Sequence, residues 1–162
     1  MALEIERKFL VKDDVFKSAA VKIIPIEQGY ITNGASCTVR VRIFGTTAVL
    51  TIKSSNATNG IARHEWEYAV PLDDAREMMT LCTSNVISKT RYVIPVGKHF
   101  FEVDVFHDDN DGLVIAEVEL SEEDEPFESP EWLGKEVTGE QCYYNAFIAD
   151  NPYKKWGEMT DH

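Results

Sequence analysis

The chain has 162 residues, of which 44% are hydrophobic and 27% are charged, and its formal net charge is −12. These values predict one globular domain over residues 1–162. Because nucleic acids and anionic membrane surfaces attract a positive field, the acidic balance excludes a general binder of either partner. A polyanionic ligand would have to be held by a local cluster of basic side chains.

Targeting and redox features are ordinary. The three cysteines, Cys37, Cys82 and Cys142, are scattered and lack metal-ligand spacing, which is typical of reduced thiols in a cytosolic protein. Charges near the start leave no apolar targeting core, and no uncharged apolar run reaches the roughly 18 residues of a membrane span. We therefore expect a cytoplasmic protein.

The first predicted strand runs from Glu4 to Val11 and alternates in character. Glu4, Glu6 and Lys8 would share one face, while the opposite face is mostly apolar. A short helix, capped by an aspartate, is expected over residues 12–20. The strand therefore predicts a sheet with one charged face and one apolar face.

The pattern of the remaining residues predicts seven further strands, a second helix and a C-terminal segment that packs on the sheet. We expect a polar, turn-rich connector at 54–60 and a helix on the outside of the sheet from 72 to 82. Aromatic and apolar residues after position 132 are expected to plug or brace the sheet. The predicted strands span 23–32, 36–44, 47–54, 63–70, 86–96, 100–107 and 113–120.

Charged residues two positions apart recur along these strands in both signs. The acidic pairs are Glu4/Glu6, Glu65/Glu67, Glu102/Asp104 and Glu117/Glu119. The basic residues are Lys8, Arg40, Arg42, Lys53, Lys89 and Arg91. Such a sheet can close into a barrel with a charged lumen and helices outside. The alternative is a set of strands with one solvated face that carries cross-strand ion pairs.

Opposite charges in one lumen indicate a particular kind of ligand. Burying them costs desolvation energy unless they pair with one another or with a ligand. An anion chelated by divalent cations would match both sets, because carboxylates hold the metal while Lys and Arg hold the anion. A phosphate chain with magnesium fits this description.

The motifs that carry these charges resemble the signature of the CYTH superfamily, the triphosphate tunnel metalloenzymes. The order of the motifs extends over most of the chain, and small bacterial inorganic tripolyphosphatases look most similar. The resemblance implies a mainly β, α+β fold, a closed eight-stranded antiparallel β-barrel. The motifs are Glu4-x-Glu6-x-Lys8, Gln28-Gly29-Tyr30, Arg40-x-Arg42, Thr51-x-Lys53, Glu65-x-Glu67, Lys89-Thr90-Arg91-Tyr92, Glu102-x-Asp104, Glu117-x-Glu119, Trp132-Leu133-Gly134-x-Glu136-Val137-Thr138 and Tyr143-x-Asn145.

The resemblance also implies roles for individual residues. Lys89, near other cations, is the expected general base, because such a lysine would have a lowered pKa, and Tyr30 is the second catalytic residue. The expected ligands of Mg²⁺ or Mn²⁺ are Glu4, Glu6, Glu117 and Glu119. The expected phosphate clamp is Lys8, Arg40, Arg42, Lys53 and Arg91. The remaining acidic lining residues are Glu65, Glu67, Glu102 and Asp104.

The expected activity is metal-dependent hydrolysis of a triphosphate, most simply inorganic tripolyphosphate to pyrophosphate and phosphate. Three alternatives stay open at this point: a class IV adenylate cyclase, a thiamine triphosphatase, and a noncatalytic module that binds polyphosphate. All of them take a small polyanionic ligand. Formation of a homodimer is a further possibility, although no single apolar patch in the sequence indicates an interface.

Overall fold

The computed structural model describes residues 2–54 and 62–159. Of the predicted connector at 54–60, only Ser54 lies in these ranges, and residues 55–60 lie outside them. These ranges contain nine strands. They are β1 Ala2–Val11, β2 Lys22–Asn33, β3 Cys37–Phe44, β4 Thr47–Ser54, β5 Ala62–Val70, β6 Ile87–Val96, β7 His99–Phe106, β8 Val114–Glu119 and β9 Leu133–Glu136.

Eight of the strands close into an antiparallel barrel. Their order is β5-β4-β3-β2-β6-β7-β8-β1, and β5 pairs back onto β1. Closure runs from the pair Ala2↔Glu65 to the pair Ile5↔Ala62. The closed eight-stranded antiparallel barrel predicted from the sequence is confirmed.

The ninth strand was not predicted. β9 extends the sheet beside the end of β1, where Val11 pairs with Leu133 and Phe9 pairs with Glu136. Its four residues are Leu-Gly-Lys-Glu, a run that is too short to show alternation and that contains a glycine, which weakens strand propensity. Pairing with β1 therefore decides its conformation.

The apolar face of β1 packs outside the barrel. Ile5 and Phe9 join a buried cluster that includes Phe101 of β7 and Trp132. Phe16 inserts into this cluster, with its ring centroid 5.8 Å from that of Trp132. Phe16 lies on a single 3₁₀ helix, Val15–Ala19, so the helix predicted over 12–20 is shorter and tighter than expected.

The other predicted outer helix is present as α1, Leu72–Met79. Its buried residue Ala75 packs against Val41 of β3 and Ala48 of β4. Neither aspartate of its first turn caps the helix, because Pro71 occupies the N-cap position and makes no side-chain hydrogen bond there. Packing on the sheet, with acidic side chains near its N-terminus, stabilises this helix.

The tail packs across the end of the barrel where β2 ends and β6 begins. Ile148 and Ala149 are buried there against Ile87 and Phe106, and the Asn33 side chain donates a hydrogen bond to the Ala146 carbonyl at 2.6 Å. No helix in the described ranges is long and apolar enough to span a membrane. The remaining helices are α2 Asn145–Asp150, α3 Trp156–Met159 and the 3₁₀ helices Asp108–Asn110, Gln141–Tyr143 and Tyr153–Lys155.

Replacing Gly134 with alanine should destabilise the protein. A Cβ atom at Gly134 would lie 2.9 Å from the Leu10 carbonyl oxygen, so β9 would have to move away from β1. We expect the free energy of unfolding in urea to fall by about 1–3 kcal/mol. Gly34→Ala is the control, because its nearest contact would be an ordinary 3.5 Å. Equal stability of the two variants would contradict this account.

Candidate functional site

The barrel lumen holds a cavity of about 760 Å³. All but two of the predicted site residues line it. The exceptions are Lys89 and Asp104, which are buried outside the cavity lining with 1% and 2% of their surfaces exposed. The lining residues from the prediction are Glu4, Glu6, Lys8, Tyr30, Arg40, Arg42, Lys53, Glu65, Glu67, Arg91, Glu102, Glu117 and Glu119.

Strand register explains why these side chains converge. Lys8 of β1 lies opposite Glu117 of β8, and Arg91 of β6 lies opposite Asp104 of β7. Successive side chains of a strand point to opposite faces, so residues two apart point into the same lumen. Closure of the barrel then brings strands that are distant in sequence around one cavity.

The acidic side of the lumen carries its own cations. Lys8 Nζ lies 2.9 Å from Glu117 and 3.4 Å from Glu6, and Lys53 Nζ lies 2.9 Å from Glu4. Burial alone would raise the pKa of Glu4, but the charges of Lys53 and Arg63 outweigh burial and lower that pKa to about 2. Glu4 is therefore ionised across the physiological pH range.

Arg63 belongs to this acidic side, although the sequence reasoning missed it. Its guanidinium lies 3.2 Å from Glu4 and 3.8 Å from Glu6, and it lines the cavity. The sequence contained the signal, because Arg63 lies two residues before Glu65 on β5 and so faces the same way. Burial would lower the pKa of Arg63, but Glu4 and Glu6 raise it.

The basic side of the lumen is built around one buried carboxylate. Asp104 accepts two hydrogen bonds from Arg91, at 2.7 and 2.9 Å, and its Oδ2 lies 2.8 Å from Lys89 Nζ. Burial would raise the pKa of Asp104, but Arg91 and Lys89 outweigh burial and hold it well below its usual range. Asp104 thus contacts two basic side chains, and Glu102 lies 3.4 Å from Arg91 as a second acidic partner.

Lys89 experiences a different balance. Burial, together with the positive charges of Arg91 and Arg42, outweighs the opposing effect of Asp104 and lowers the pKa of the Lys89 amine to about 7. Lys89 Nζ also donates a hydrogen bond to Asn145 Oδ1 at 2.9 Å. Near neutral pH, a substantial fraction of this amine is therefore unprotonated, and an unprotonated amine can accept a proton.

Arg40 and Arg42 leave positive charge for a ligand. Burial lowers the pKa of Arg42, and its neighbours Arg40 and Arg91 lower it further. The Nε of Arg40 is buried and has no hydrogen-bond partner within residues 2–54 and 62–159. Like charges and an unsatisfied donor at a cavity wall are arranged to receive an anion, which would relieve both.

Three of the four carboxylates predicted to hold a metal, Glu4, Glu6 and Glu117, are engaged with cations of the protein itself. Within the described ranges, no three Asp, Glu, His or Cys side chains are grouped as a metal site requires. Glu6 and Glu117 share the ammonium of Lys8, and Glu4 pairs with Lys53. These ion pairs have to rearrange if a divalent cation binds.

The chemistry of these donors nevertheless fits a hard divalent cation. Burial raises the pKa of Glu119, and Glu4 and Glu6 raise it further by repulsion. Within the described ranges, no ion pair joins Glu119 to a basic side chain. An added positive charge beside these carboxylates would relieve the repulsion, and carboxylate oxygens are ligands that Mg²⁺ and Mn²⁺ prefer.

Besides Ala146, the tail contributes two lining residues that the charge pattern could not reveal, Tyr144 and Asn145. The ring of Tyr144 lies 5.1 Å from Lys8 Nζ and 5.4 Å from the Arg63 guanidinium carbon. Asn145, the next residue, also lines the cavity. Both side chains are uncharged, so the tail completes the lumen without adding a basic group to it.

Comparison with known proteins agrees with this geometry. A family model described as the CYTH domain matches residues 2–144. An inorganic triphosphatase of Acetivibrio thermocellus is 43% identical over 159 residues, 98% of this chain and 100% of that protein. An inorganic triphosphatase of Nitrosomonas europaea is 35% identical over 151 residues, 90% of this chain and 96% of that protein.

A solved structure gives the same result. The crystal structure of the inorganic triphosphatase NE1496 matches with a TM-score of 0.66 at 33% identity, and the match covers 92% of this chain and 95% of that one. These matches confirm the resemblance that the sequence motifs indicated.

Replacing Asp104 with asparagine should strongly destabilise the fold, because Lys89 and Arg91 would lose their shared counter-charge in a buried site. We expect the free energy of unfolding to fall by about 3–5 kcal/mol at neutral pH. Asp109→Asn is the matched control: Asp109 pairs with Lys154 on the surface, where about half of each side chain is exposed, so its loss should be about 0–1 kcal/mol. Similar losses in urea unfolding would contradict the prediction.

Proposed function

Since the chain belongs to the CYTH domain family, we propose that it is a metal-dependent phosphohydrolase that cleaves inorganic tripolyphosphate to pyrophosphate and phosphate. The observation that carries this proposal is one cavity in which arginine and lysine side chains face carboxylates. A protein of net charge −12 thereby presents concentrated positive charge to a ligand inside the barrel. The named activity of both sequence relatives supports the same substrate.

Substrate binding is assigned to the basic lining. Arg40, Arg42 and Arg91 would grip phosphate oxygens through their planar guanidinium groups, since such a fork can donate two parallel hydrogen bonds. Lys8 and Lys53 would act as point charges. Because Lys8, Lys53 and Arg91 are ion-paired in this structure, binding exchanges part of that pairing for contacts with the substrate.

The metal ligands in this proposal are Glu4, Glu6, Glu117 and Glu119, and the metal is Mg²⁺ or Mn²⁺. When bound, a divalent cation neutralises charge on the phosphate oxygens. The four carboxylates supply hard oxygen donors from β1 and β8, and they exceed the one or two that magnesium usually takes from a protein. Ionised Glu4 and Glu6 need no deprotonation before they bind a cation.

Lys89 is the proposed general base, and its neutral amine would accept a proton from the attacking water. The amine lies outside the cavity lining and is joined to it by Asn145, which contacts Nζ and lines the cavity. Tyr30 is the second proposed catalytic residue. It is buried and lines the same cavity, so its hydroxyl is available to orient a phosphate oxygen or the water.

The rival activities have less support. A class IV adenylate cyclase or a thiamine triphosphatase would use the same clamp, but both sequence relatives are inorganic triphosphatases. A noncatalytic module needs the cations but no base, whereas burial here prepares a lysine with a pKa of about 7. Location in the cytoplasm and formation of a homodimer stay predictions from the sequence.

Purified protein should release phosphate from tripolyphosphate with Mg²⁺ or Mn²⁺ and stop when a chelator is added. Lys89→Ala should lower kcat by about 10²–10⁴-fold, the usual contribution of a general base. Lys154→Ala, which removes a surface lysine outside the cavity lining, should leave turnover unchanged. If neither cation supports phosphate release, the proposed substrate is wrong, and assays for cyclic AMP formation and polyphosphate binding would separate the rivals.

The pH profile of kcat/KM should report Lys89. Its amine loses a proton as the pH rises through about 7, so kcat/KM should rise through that pH. Terminal phosphates lose a proton in a similar range, near pH 6, so the diagnostic is the difference between the wild type and Lys89→Ala. The variant should lose the part of the rise that belongs to the amine. Identical profiles would exclude Lys89 as the base.

A further inference from the structure

Asn145 lies at the junction between the cavity and the buried amine of Lys89. It is the first residue of α2, one position beyond the part of the chain that the family model matches. Its Oδ1 accepts hydrogen bonds from Lys89 Nζ at 2.9 Å and from Gln28 Nε2 at 3.1 Å. A residue of the tail therefore reaches a group buried within the barrel.

The orientation of the Asn145 amide follows from its neighbours. Arg42 Nε donates to Gln28 Oε1 at 2.8 Å, so the Gln28 amide must turn its NH₂ group toward Asn145. An amide nitrogen and a lysine nitrogen are both donors, and they converge on the same atom of Asn145. That atom must be the carbonyl oxygen, because only an oxygen can accept from both.

Two hydrogen bonds, one to Asn145 and one to Asp104, fix the orientation of the Lys89 amine. A neutral lysine amine has two N–H groups and one lone pair. Asp104 Oδ2, 2.8 Å from Nζ, and Asn145 Oδ1, 2.9 Å from Nζ, can take both N–H groups. The lone pair is then the remaining group, and its direction is fixed by two acceptors on two different elements, β7 and α2.

We propose that Asn145 is a positioning residue for Lys89, holding the amine so that both N–H groups are occupied and the lone pair alone is free to accept a proton. The inference rests on the proposed function, in which Lys89 is the general base. Asn145 also lines the cavity.

Because charged groups surround the Lys89 amine, the inference predicts the direction in which a substitution shifts the Lys89 pKa. Asp104 faces the amine from β7, Arg91 from β6 and Arg42 from β3, and burial with the two arginines lowers the pKa of Lys89 to about 7 against the opposing effect of Asp104. Asn145 is the uncharged member of this set. Altering its charge or its acceptor should therefore move the pKa of Lys89 in a direction that can be stated beforehand.

The test is a pH titration of the full chain, labelled with ¹³C at lysine Cε and followed by NMR without metal or substrate. Lys89→Arg assigns the Lys89 resonance. Asn145→Asp adds an opposite charge at hydrogen-bonding distance and should raise the Lys89 pKa by about one to three pH units. Asn145→Leu removes the acceptor while an apolar side chain of similar size limits water entry, so it should lower that pKa.

Asn33→Ala is the matched control. Asn33 holds the same tail segment through hydrogen bonds to Ala146 and Asp150 but does not contact Lys89, so its replacement should leave the Lys89 pKa where it is. Circular dichroism melts of all variants show whether the barrel is folded. If Asn145→Leu does not fold, Asn145→Asp decides alone. An unmoved Lys89 pKa in a folded Asn145→Asp protein would overturn the inference.

Tripolyphosphate hydrolysis by the same variants separates this inference from the proposed function. The rising part of the kcat/KM profile should move with the amine, upward in pH for Asn145→Asp and downward for Asn145→Leu. A profile that keeps its Lys89-dependent rise while the amine pKa does not move overturns only the role of Asn145. An amine pKa that moves without any change in the profile overturns Lys89 as the base.

Discussion

Mutual neutralisation of opposite charges in the lumen is the interaction on which the rest of the structure depends. An ion moved from water into a protein interior costs several kcal/mol unless a partner replaces its hydration. Lys8 and Lys53 meet Glu117 and Glu4 on one side, and Asp104 meets Arg91 on the other. These ion pairs allow a cavity lined by charge to exist inside a small barrel, and they are also the contacts that a ligand must partly replace.

Both sides of the lumen contain positive and negative side chains, so charges are paired before any ligand binds. The pairing is less complete in some regions than in others. Asp104 faces both Lys89 and Arg91, and Glu102 also pairs with Arg91, while the carboxylates near Glu119 repel one another. A chelated polyanion carries negative charge toward the first region and positive charge toward the second. The proposed substrate, a polyanion chelated by a divalent cation, would match both regions, whereas a free anion or a free metal ion would match only one.

The sequence predicted the part of this arrangement that depends on the alternation of side chains along a strand. Alternation assigned the lining residues of β1 to β8, because every strand had to turn its charges inward. It could not show that Lys89 lies outside the cavity lining, since strand register fixes a direction but not a depth. Arg63 has the spacing of a lining residue, but it was not predicted because no second basic residue lies two positions away. Asn145 belonged to the motif Tyr143-x-Asn145, but the charge pattern gave it no role, because only the packing of the tail brings an uncharged amide to a buried amine.

The pairing of β1 with strands from the end of the chain has a kinetic consequence. Lys8 and Glu117 are separated by 109 positions, and Arg7 and Glu136 by 129. Contacts of such long sequence separation form slowly, because the chain must lose much of its freedom before they contribute. Because β1 precedes β8 and β9 in the chain, it must stay hydrated until those strands are available. The charged side chains of β1 disfavour pairing of its exposed edge with other chains, which an apolar strand would not do.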